Sequence, residues 1–337
     1  MKNAFLLASL LFLCFSVSYA QRRAEIGLSG GVTNYIGDLA NEAVFPYSSA
    51  NSGAALTLRG FAGNPRIRYK TLDPYIRFSW HRLQYDETEP LRDKQGVDLR
   101  NYRRGLGFRN DLYGMETGIA YNVFLNKRQP LWKPSFSFFF TAGIGIFYGT
   151  PKADLFRGNI SLDNRYYFWQ DGTIRDRSEN PQQLGTVLEK DGVYETDLRS
   201  WRTEGQGYSK ETRGKQPYSL LNIGIPAGGG VRYVLNKQWT ISAEFSYYYF
   251  FTDYLDDVSD EYATYEELRA AFPNNGEFET AKYISDPTGW GTNGFIGPYT
   301  SIRGNSGLKD AFTCVSLEVA YKFVWKKAGI YGQLSSR

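Results

Sequence analysis

Apolar and polar side chains alternate along several stretches of the chain with a period of two residues. In the clearest stretch, one face carries Phe136, Phe138, Phe140, Ala142, Ile144, Ile146 and Tyr148. The opposite face is mostly Ser, Thr and Gly, interrupted by Phe139 and Phe147. A helix would scatter these residues around its circumference, whereas a strand places them on one face. The pattern therefore predicts a β-strand with one apolar face.

The same alternation recurs along the chain and predicts eight strands. They lie near 24–36, 53–62, 73–85, 108–125, 135–149, 218–235, 239–253 and 311–325. Each is long enough for the roughly 9–11 tilted residues of a membrane strand, and eight is the smallest strand number of bacterial barrels. In the sixth strand, Pro226 and the run Gly228–Gly230 predict a bulge or bend. The predicted fold class is all-β, an eight-stranded antiparallel transmembrane up-and-down β-barrel with long extracellular loops.

The connections between these strands alternate in length. Residues 63–72, 126–134 and 236–238 are short, and residues 37–52, 86–107, 150–217 and 254–310 are long. Short periplasmic turns and longer external loops are typical of outer-membrane barrels, so both termini are expected in the periplasm. The alternative is a secreted β-sandwich, which would bury its apolar faces in one core and would not need Tyr and Trp near both ends of its strands.

The composition and the N-terminus agree with an exported barrel. Aromatic residues make up 17% of the 337 residues while the mean hydropathy is −0.44, which excludes a helical membrane protein but suits alternating strands. Lys2, the apolar run 4–17 and the small residues before position 21 indicate a signal peptide over 1–20. We expect the barrel over 21–325 and a short periplasmic tail over 326–337. The net charge of +4 is too small to suggest nucleic acid.

Charged residues on the inward face predict an ion-pair network that fills the lumen. An eight-stranded barrel is just wide enough to be filled by its own side chains, and buried charges need partners. The alternative is a gated ion or solute path. Four cations and four anions belong to this set: Glu25, Arg59, Arg77, Glu116, Arg232, Glu244, Glu318 and Lys322.

Evidence for catalysis or for a metal site is slight. The single histidine, His81, lies on the inward face of the third strand, two residues after Ser79. We expect it to be a lumen side chain that satisfies its neighbours, and keep a barrel enzyme as the alternative. No Cys or His cluster, P-loop or dinucleotide motif is present, so no cofactor is expected. The acidic group within 253–260 (Asp253, Asp256, Asp257 and Asp260) is expected to be a solvated loop base, with a calcium site as the alternative.

The two longest loops differ in charge. Loop 150–217 mixes acidic and basic residues almost evenly, whereas loop 254–310 is acidic, with Arg269, Lys282, Arg303 and Lys309 in the minority. The sequence from Thr264 to Glu267 is a capping box that predicts a short helix ending before Pro273. Loops of this length are usually either functional or disordered, and the sequence leaves both open.

The short connections and the C-terminal tail are basic. Between 63 and 72, 126 and 134, 236 and 238, and 326 and 337 there is no Asp or Glu. One interpretation is contact with outer-membrane lipid headgroups; the other is a docking face for a periplasmic partner. The candidate partner-binding residues are Arg66, Arg68, Lys70, Lys127, Arg128, Lys237, Lys326 and Lys327.

Two motifs resemble a known family. The stretch Glu25-Ile-Gly-Leu-Ser-Gly-Gly-Val-Thr-Asn-Tyr-Ile-Gly-Asp-Leu39, and Thr252-Asp-Tyr-Leu-Asp-Asp-Val258 followed by Tyr262, are similar to a Bacteroidetes family of outer-membrane β-barrels. That family includes PorG of the type IX secretion system. The resemblance implies association with the periplasmic ring of that system, built from a PorK-like lipoprotein and a PorN-like protein.

Three functional hypotheses follow from the sequence. The leading one is a non-enzymatic barrel of the bacterial outer membrane that anchors or organises a periplasmic assembly through its basic face. The first alternative is a surface binding protein or adhesin that acts through loops 150–217 and 254–310. The second alternative is a barrel enzyme that uses His81. Transport of small solutes is disfavoured by the narrow lumen.

Overall fold

Eight long strands dominate the computed structural model, which describes residues 23–39, 50–60, 72–88, 97–125, 134–208, 217–291 and 302–324. In chain order they are β1 (Arg23–Ile36), β2 (Ala50–Arg59), β3 (Leu72–Asp86), β4 (Gly107–Phe124), β5 (Ser135–Tyr148), β6 (Leu221–Val234), β7 (Trp239–Phe250) and β8 (Ala311–Val324). Most bounds lie within one residue of the sequence prediction. β2 begins and ends three residues earlier than predicted, β6 begins three residues later, and β7 ends three residues earlier.

The eight strands close into a barrel. Each pairs antiparallel with its neighbours in sequence, and β1 pairs with β8 from Arg23 opposite Val324 to Ile36 opposite Ala311. The predicted up-and-down eight-stranded barrel is therefore confirmed. Because the sheet closes on itself, its backbone groups are hydrogen-bonded within the wall and leave no free edge. Among the described residues, no helix is long and apolar enough to cross a membrane.

The predicted alternation of faces is confirmed in all eight strands. Apolar side chains point outward and are exposed, for example Leu28 (67%), Phe136 (60%) and Leu317 (66%), whereas their sequence neighbours point inward and are largely buried. So large a continuous apolar surface would be unfavourable in water and matches the wall of a membrane-spanning barrel. Aromatic rings such as Trp239 and Tyr321, which pack edge to face, lie near the wall end where β7 begins.

The predicted bulge in β6 is wrong. The pairing between β6 and β5 is interrupted at Ile225 and Pro226, but its register is the same on both sides, from Leu221 opposite Tyr148 to Val234 opposite Ser135, so neither strand carries an extra residue. The glycines instead allow the backbone of β6 to lie close to its neighbouring strands. A Cβ on Gly230 would lie 2.0 Å from the backbone oxygen of Ala243. Glycine is therefore required here by the tight packing of β6 on β7.

The long connections fold together at one end of the barrel. They contain three helices, α1 (Val97–Arg104), α2 (Tyr265–Ala271) and α3 (Asn275–Ser285), and a small sheet of the strands Tyr167–Phe168, Ile174–Arg175 and Val187–Leu188. The predicted capping box is confirmed, since Thr264 and Glu267 cap each other at the start of α2; α1 and α3 were not predicted. We call the described parts of these connections (37–39, 87–88, 97–106, 149–208, 217–220, 251–291 and 302–310) the loop cap.

We predict that Gly230→Ala weakens the barrel, because its Cβ would press on the backbone of β7, which cannot move away without breaking the ladder. The matched control is Gly30→Ala on β1, where a Cβ would meet nothing within 4 Å. Heat-modifiable mobility on gels, measured against temperature, should show earlier unfolding for the first variant only. Equal midpoints for the two variants would contradict this packing.

Candidate functional site: the lumen and the loop cap

Near the end of the barrel where β1 begins, Arg59 is held between two carboxylates. Its guanidinium lies 3.0 Å from Glu25 and donates a short hydrogen bond to Glu318 on the opposite side. Lys322, which is partly exposed, lies 3.6 Å from Glu25. Four of the predicted lumen residues are thus brought together in one network. Both carboxylates have a cation within reach, as buried charges require.

Arg77 is the centre of a second group, deeper in the lumen. Its guanidinium lies 2.7 Å from Glu244 and 3.9 Å from Glu116, and it donates a hydrogen bond of 3.4 Å to the hydroxyl of Tyr248. Ser79 donates to Glu116 at 3.0 Å. The side chains of Arg77, Glu244 and Glu116 are each less than 10% exposed. Ion pairs and hydroxyl groups therefore occupy the middle of the lumen.

Arg232 completes the eight predicted lumen residues, and it contacts neutral side chains. It donates to the amide oxygen of Asn122 at 2.9 Å, and its guanidinium lies 4.5 Å from the ring centre of Phe139. Phe139, which interrupts the polar face in the sequence, is therefore an inward side chain that packs against a cation. The lumen is filled by its own side chains over this length.

An aromatic layer closes the lumen beneath the loop cap. Tyr248 stacks on Phe312 with ring centres 4.3 Å apart, and Phe147, the second interruption of the polar face, packs edge to face against Tyr248. His81 lies beside this stacked pair, with its ring centre 5.1 Å from that of Tyr248 and 4.9 Å from that of Phe312. The part of the lumen nearer the start of β1 is thus polar, and the part beneath the loop cap is aromatic.

His81 does not satisfy its neighbours as expected from the sequence. Both ring nitrogens are buried without a hydrogen-bond partner among the described residues. Ser79 donates to Glu116 rather than to the imidazole. The two residues thus lack the nucleophile–base contact of a hydrolase triad, and the histidine packs as an aromatic ring.

The expected solvated acidic group after β7 is wrong. Asp253, Asp256 and Asp257 are 3%, 1% and 0% exposed, and only Asp260 is partly exposed. Asp257 can be buried because the β5–β6 loop supplies hydrogen-bond donors to its carboxylate. Its carboxylate accepts hydrogen bonds from the hydroxyls of Thr203 (2.6 Å) and Tyr218 (2.7 Å). As for the calcium alternative, the described residues contain no group of three or more acidic, His or Cys side chains arranged to hold a metal.

Arg303 links two loops of the cap through buried charges. Its guanidinium lies 3.4 Å from Asp257 within its own loop and 3.4 Å from Glu204 of the β5–β6 loop. Glu204 also accepts the backbone N–H groups of Ser259 (2.8 Å) and Asp260 (3.1 Å). Arg303 itself is 2% exposed, so one buried guanidinium serves as the shared partner of both carboxylates inside the cap.

Arg104, at the end of α1, links the remaining loops. It pairs with Glu87, and it donates to the carbonyl oxygens of Asp38 (2.9 Å) and Arg303 (2.7 Å). Two arginines therefore connect all four long loops. No pattern in the sequence indicated that Arg104 or Glu204 would link loops. The only sequence signal for Arg303 was that it is one of the few cations in the acidic loop 254–310.

Carboxyl groups at the base of the cap are buried close together. Asp310 accepts a hydrogen bond of 2.6 Å from Tyr35 and one of 2.7 Å from the N–H of Leu255. Burial raises the pKa of Asp310 to about 8. Burial and the charge of Asp310 raise the pKa of Asp256 well above its usual range, and burial raises the pKa of Asp253 to about 7. Part of this group therefore binds protons near neutral pH.

The candidate partner-binding residues lie almost entirely outside the described residues. Only Lys237 is described, and it is exposed in the turn between β6 and β7. The strands that flank the other two short connections end at the same rim of the barrel as this turn, where Arg23 lies opposite Val324. The predicted signal peptide (1–20) and the predicted periplasmic tail (326–337) also lie outside the described residues.

We predict that Glu244→Gln destabilises the folded barrel, because buried Arg77 loses its nearer counterion. The cost is on the order of 3–5 kcal/mol for a fully buried pair. The matched control is Glu25→Gln, where Arg59 keeps its direct hydrogen bond to Glu318 and Lys322 reaches water, whereas Arg77 keeps only Glu116 at 3.9 Å, so the cost should be smaller. Urea midpoints of the two variants refolded into vesicles measure both stability costs.

Stable single-channel currents from the purified, unmodified protein would contradict the filled lumen.

We predict that the loop cap is more stable at pH 5 than at pH 9. The folded-state pKa values of Asp253 and Asp310 exceed the unfolded value of about 4. Their stabilising protonated forms are complete below that value and are lost as the pH rises through about 7 to 8. Amide hydrogen exchange, corrected for the intrinsic rate, should show at least tenfold more opening of residues 251–260 at pH 9. Asp256→Asn should make this dependence shallower, and equal opening at both pH values would contradict it.

Comparisons with solved structures return outer-membrane barrels at low similarity. The Neisserial surface protein A (NspA) is 9% identical, with 89% of this chain and 97% of that chain covered and a TM-score of 0.36. The attachment invasion locus protein Ail of Yersinia pestis is 8% identical, with 90% and 100% covered and a TM-score of 0.31. A major outer membrane protein from Thermus thermophilus is 10% identical, with 89% and 99% covered and a TM-score of 0.31.

No family model matches the chain, and no curated protein matches it. The resemblance to the Bacteroidetes family therefore stays a prediction. The fold does show the general class of protein. A closed eight-stranded barrel with an apolar outer wall and a polar, filled interior is the architecture of a bacterial outer-membrane protein. The chain is an outer-membrane β-barrel.

Proposed function

We propose that this outer-membrane barrel is a non-enzymatic anchor that organises a periplasmic assembly, most directly the ring of the type IX secretion system. The observation that carries the proposal is the charge of the three short connections and the tail, which hold eight candidate basic residues and no Asp or Glu. The expected partners are a PorK-like lipoprotein and a PorN-like protein. Short connections facing the periplasm put these charges on the side where such a ring lies.

The up-and-down topology supports one shared basic face. β2, β4 and β6 end, and β3, β5 and β7 begin, at the rim where the described chain itself begins and ends. Residues far apart in sequence, such as Arg66 and Arg128, are thus carried by connections of the same rim. Connections that carry basic residues and no acidic ones are expected to give this rim a positive field that attracts acidic surfaces.

The filled lumen supports an anchoring role over transport. Arg59 and Arg77 each lie between carboxylates, and the aromatic layer around Tyr248 closes the other end. A solute path would need these ion pairs to separate, at a cost of several kcal/mol each. Function is therefore expected on the outer surfaces of the barrel. An enzyme that uses His81 is not proposed, because the imidazole has no hydrogen-bond partner among the described residues.

Two sources of attraction for the basic face can be distinguished. Lipid headgroups attract any basic residue, and each exposed pair contributes about 0–1 kcal/mol. A protein dock depends on particular positions and weakens with salt over a screening length of about 8–10 Å. We assign the attraction of the basic face to a protein partner.

A second candidate function, surface binding through the loops, is supported by the ordered loop cap. Residues 149–208 of the longest loop form paired strands and two 3₁₀ turns, and Arg303 ties this loop to the β7–β8 loop. A rigid set of loops on a scaffold is the usual arrangement of a binding surface.

We predict that reversing Arg66, Arg68, Lys127 and Arg128 to Glu abolishes co-purification with the ring proteins and reduces cargo secretion, because the eight candidate residues lose their net positive charge. The matched control reverses four exposed basic residues of the loop cap, Lys152, Arg157, Arg177 and Lys309, with the same change in net charge. Heat-modifiable mobility checks that both variants fold. If the first variant folds, captures the ring and still secretes cargo, the basic face only contacts lipid and the anchor is wrong.

A further inference from the structure

A cleft opens in the loop cap between the β5–β6 loop and the helices of the β7–β8 loop. Its volume is about 330 Å³. One wall is formed by residues 165–168 and 178–179, and the other by parts of α2 and α3 and by residues 285–289. This volume lies at the lower end of the range of about 300–1,000 Å³ found for small-molecule sites. The cleft is separate from the lumen and from the basic rim.

Arg165 is the cation in this cleft that has no counterion among the described residues. Its guanidinium lies 4.5 Å from the ring centre of Tyr167 and 5.9 Å from that of Tyr283. Its Nε is buried without a hydrogen-bond partner in the described part of the chain. Arg175, on the neighbouring strand, pairs with Asp171 at 2.7 Å instead. A charged side chain held in place by rings but unpaired is placed to receive an anion.

The other charged groups of the cleft already have partners. Lys282 lies 2.9 Å from Glu279 on the same face of α3. Asp286 accepts the N–H groups of Gly289 at 3.1 Å and Gly291 at 3.2 Å. Glu179 also lines the cleft and accepts the N–H of Gln170 at 3.2 Å. Among the charged groups of the cleft, Arg165 is thus the one with a buried polar atom that lacks a hydrogen-bond partner in the described part of the chain.

The remaining lining is mostly aromatic, with a few hydroxyl groups. The partly exposed rings of Tyr167 and Tyr265 face the cleft, and Ser178 and Thr288 add hydroxyls at its edge. Aromatic faces favour ring-shaped ligands that present polarised C–H groups, while hydroxyls pair with hydroxyls. A pyranose ring has both features, and an attached carboxylate would complement Arg165.

We propose that this cleft binds an acidic sugar, with the carboxylate on Arg165 and the pyranose ring against Tyr167 and Tyr265. The site does not depend on the anchoring role of the basic rim. It accounts for the unpaired guanidinium, the aromatic lining and the small volume together. The sugar could be free or the end of a larger glycan, since both present the same ring and carboxylate.

The test is calorimetry on the purified full-length barrel with galacturonate, glucuronate and N-acetylneuraminate, each at millimolar concentration, and with neutral galactose. At least one acidic sugar should bind about tenfold more tightly than galactose, as a charge-assisted hydrogen bond implies. Arg165→Gln should remove this preference, so that the acidic sugars bind no more tightly than galactose. Arg165→Lys should restore part of it, because the charge is kept but the planar fork is lost.

The matched control is Arg157→Gln, an exposed arginine of the same loop that donates to backbone carbonyl groups. It should leave all affinities unchanged, and heat-modifiable mobility checks that every variant folds. Failure of all three acidic sugars to bind would overturn the proposal. Equal binding of galactose would overturn the role of Arg165. Equal binding of acetate alone would show a simple anion site, and would overturn the role of the pyranose ring.

Discussion

Buried arginines paired with carboxylates are the interaction on which this barrel depends. Arg77 lies where water is largely excluded, and an uncompensated charge there would cost several kcal/mol. Glu244 and Glu116 come from strands on different parts of the wall. The pairs therefore hold opposite sides of the barrel together from within, while the hydrogen-bonded sheet holds it along the circumference. Because the pairs occupy the lumen, they also restrict function to the two ends.

The two ends differ in construction. At the rim where the chain begins and ends, the connections are short, and their sequence carries basic residues without acidic ones. At the other end, four long connections form a cap in which Arg104 and Arg303 pair with buried carboxylates. The end with the short connections carries positive charge, whereas the loop cap presents a folded surface with a cleft. This asymmetry is the physical basis for assigning a docking role to one end and ligand binding to the other.

The wall could be predicted from the sequence because it depends on a local rule. A period of two residues fixes which side chains face lipid, so Leu28, Phe136 and Leu317 were placed correctly without knowledge of any partner. The cap could not be predicted in this way, because its contacts join distant segments. Arg303 meets Glu204 across 99 positions, and Tyr35 meets Asp310 across 275. Asp257 was expected in solvent because the hydroxyls that bury it come from another loop.

The contacts that Arg104 and Arg303 make with other loops limit how the sequence of the loop cap can diverge. Loops of surface proteins usually vary independently of one another, since each is anchored only at its own strand ends. Here a substitution at Glu204 leaves a buried guanidinium in a different loop without one of its two carboxylates. Sequence change in one loop therefore requires compensating change in another, so the four loops are expected to covary across homologues. Among the described residues, exposed turns such as residues 180–183 lie outside these contacts and can vary independently of the other loops.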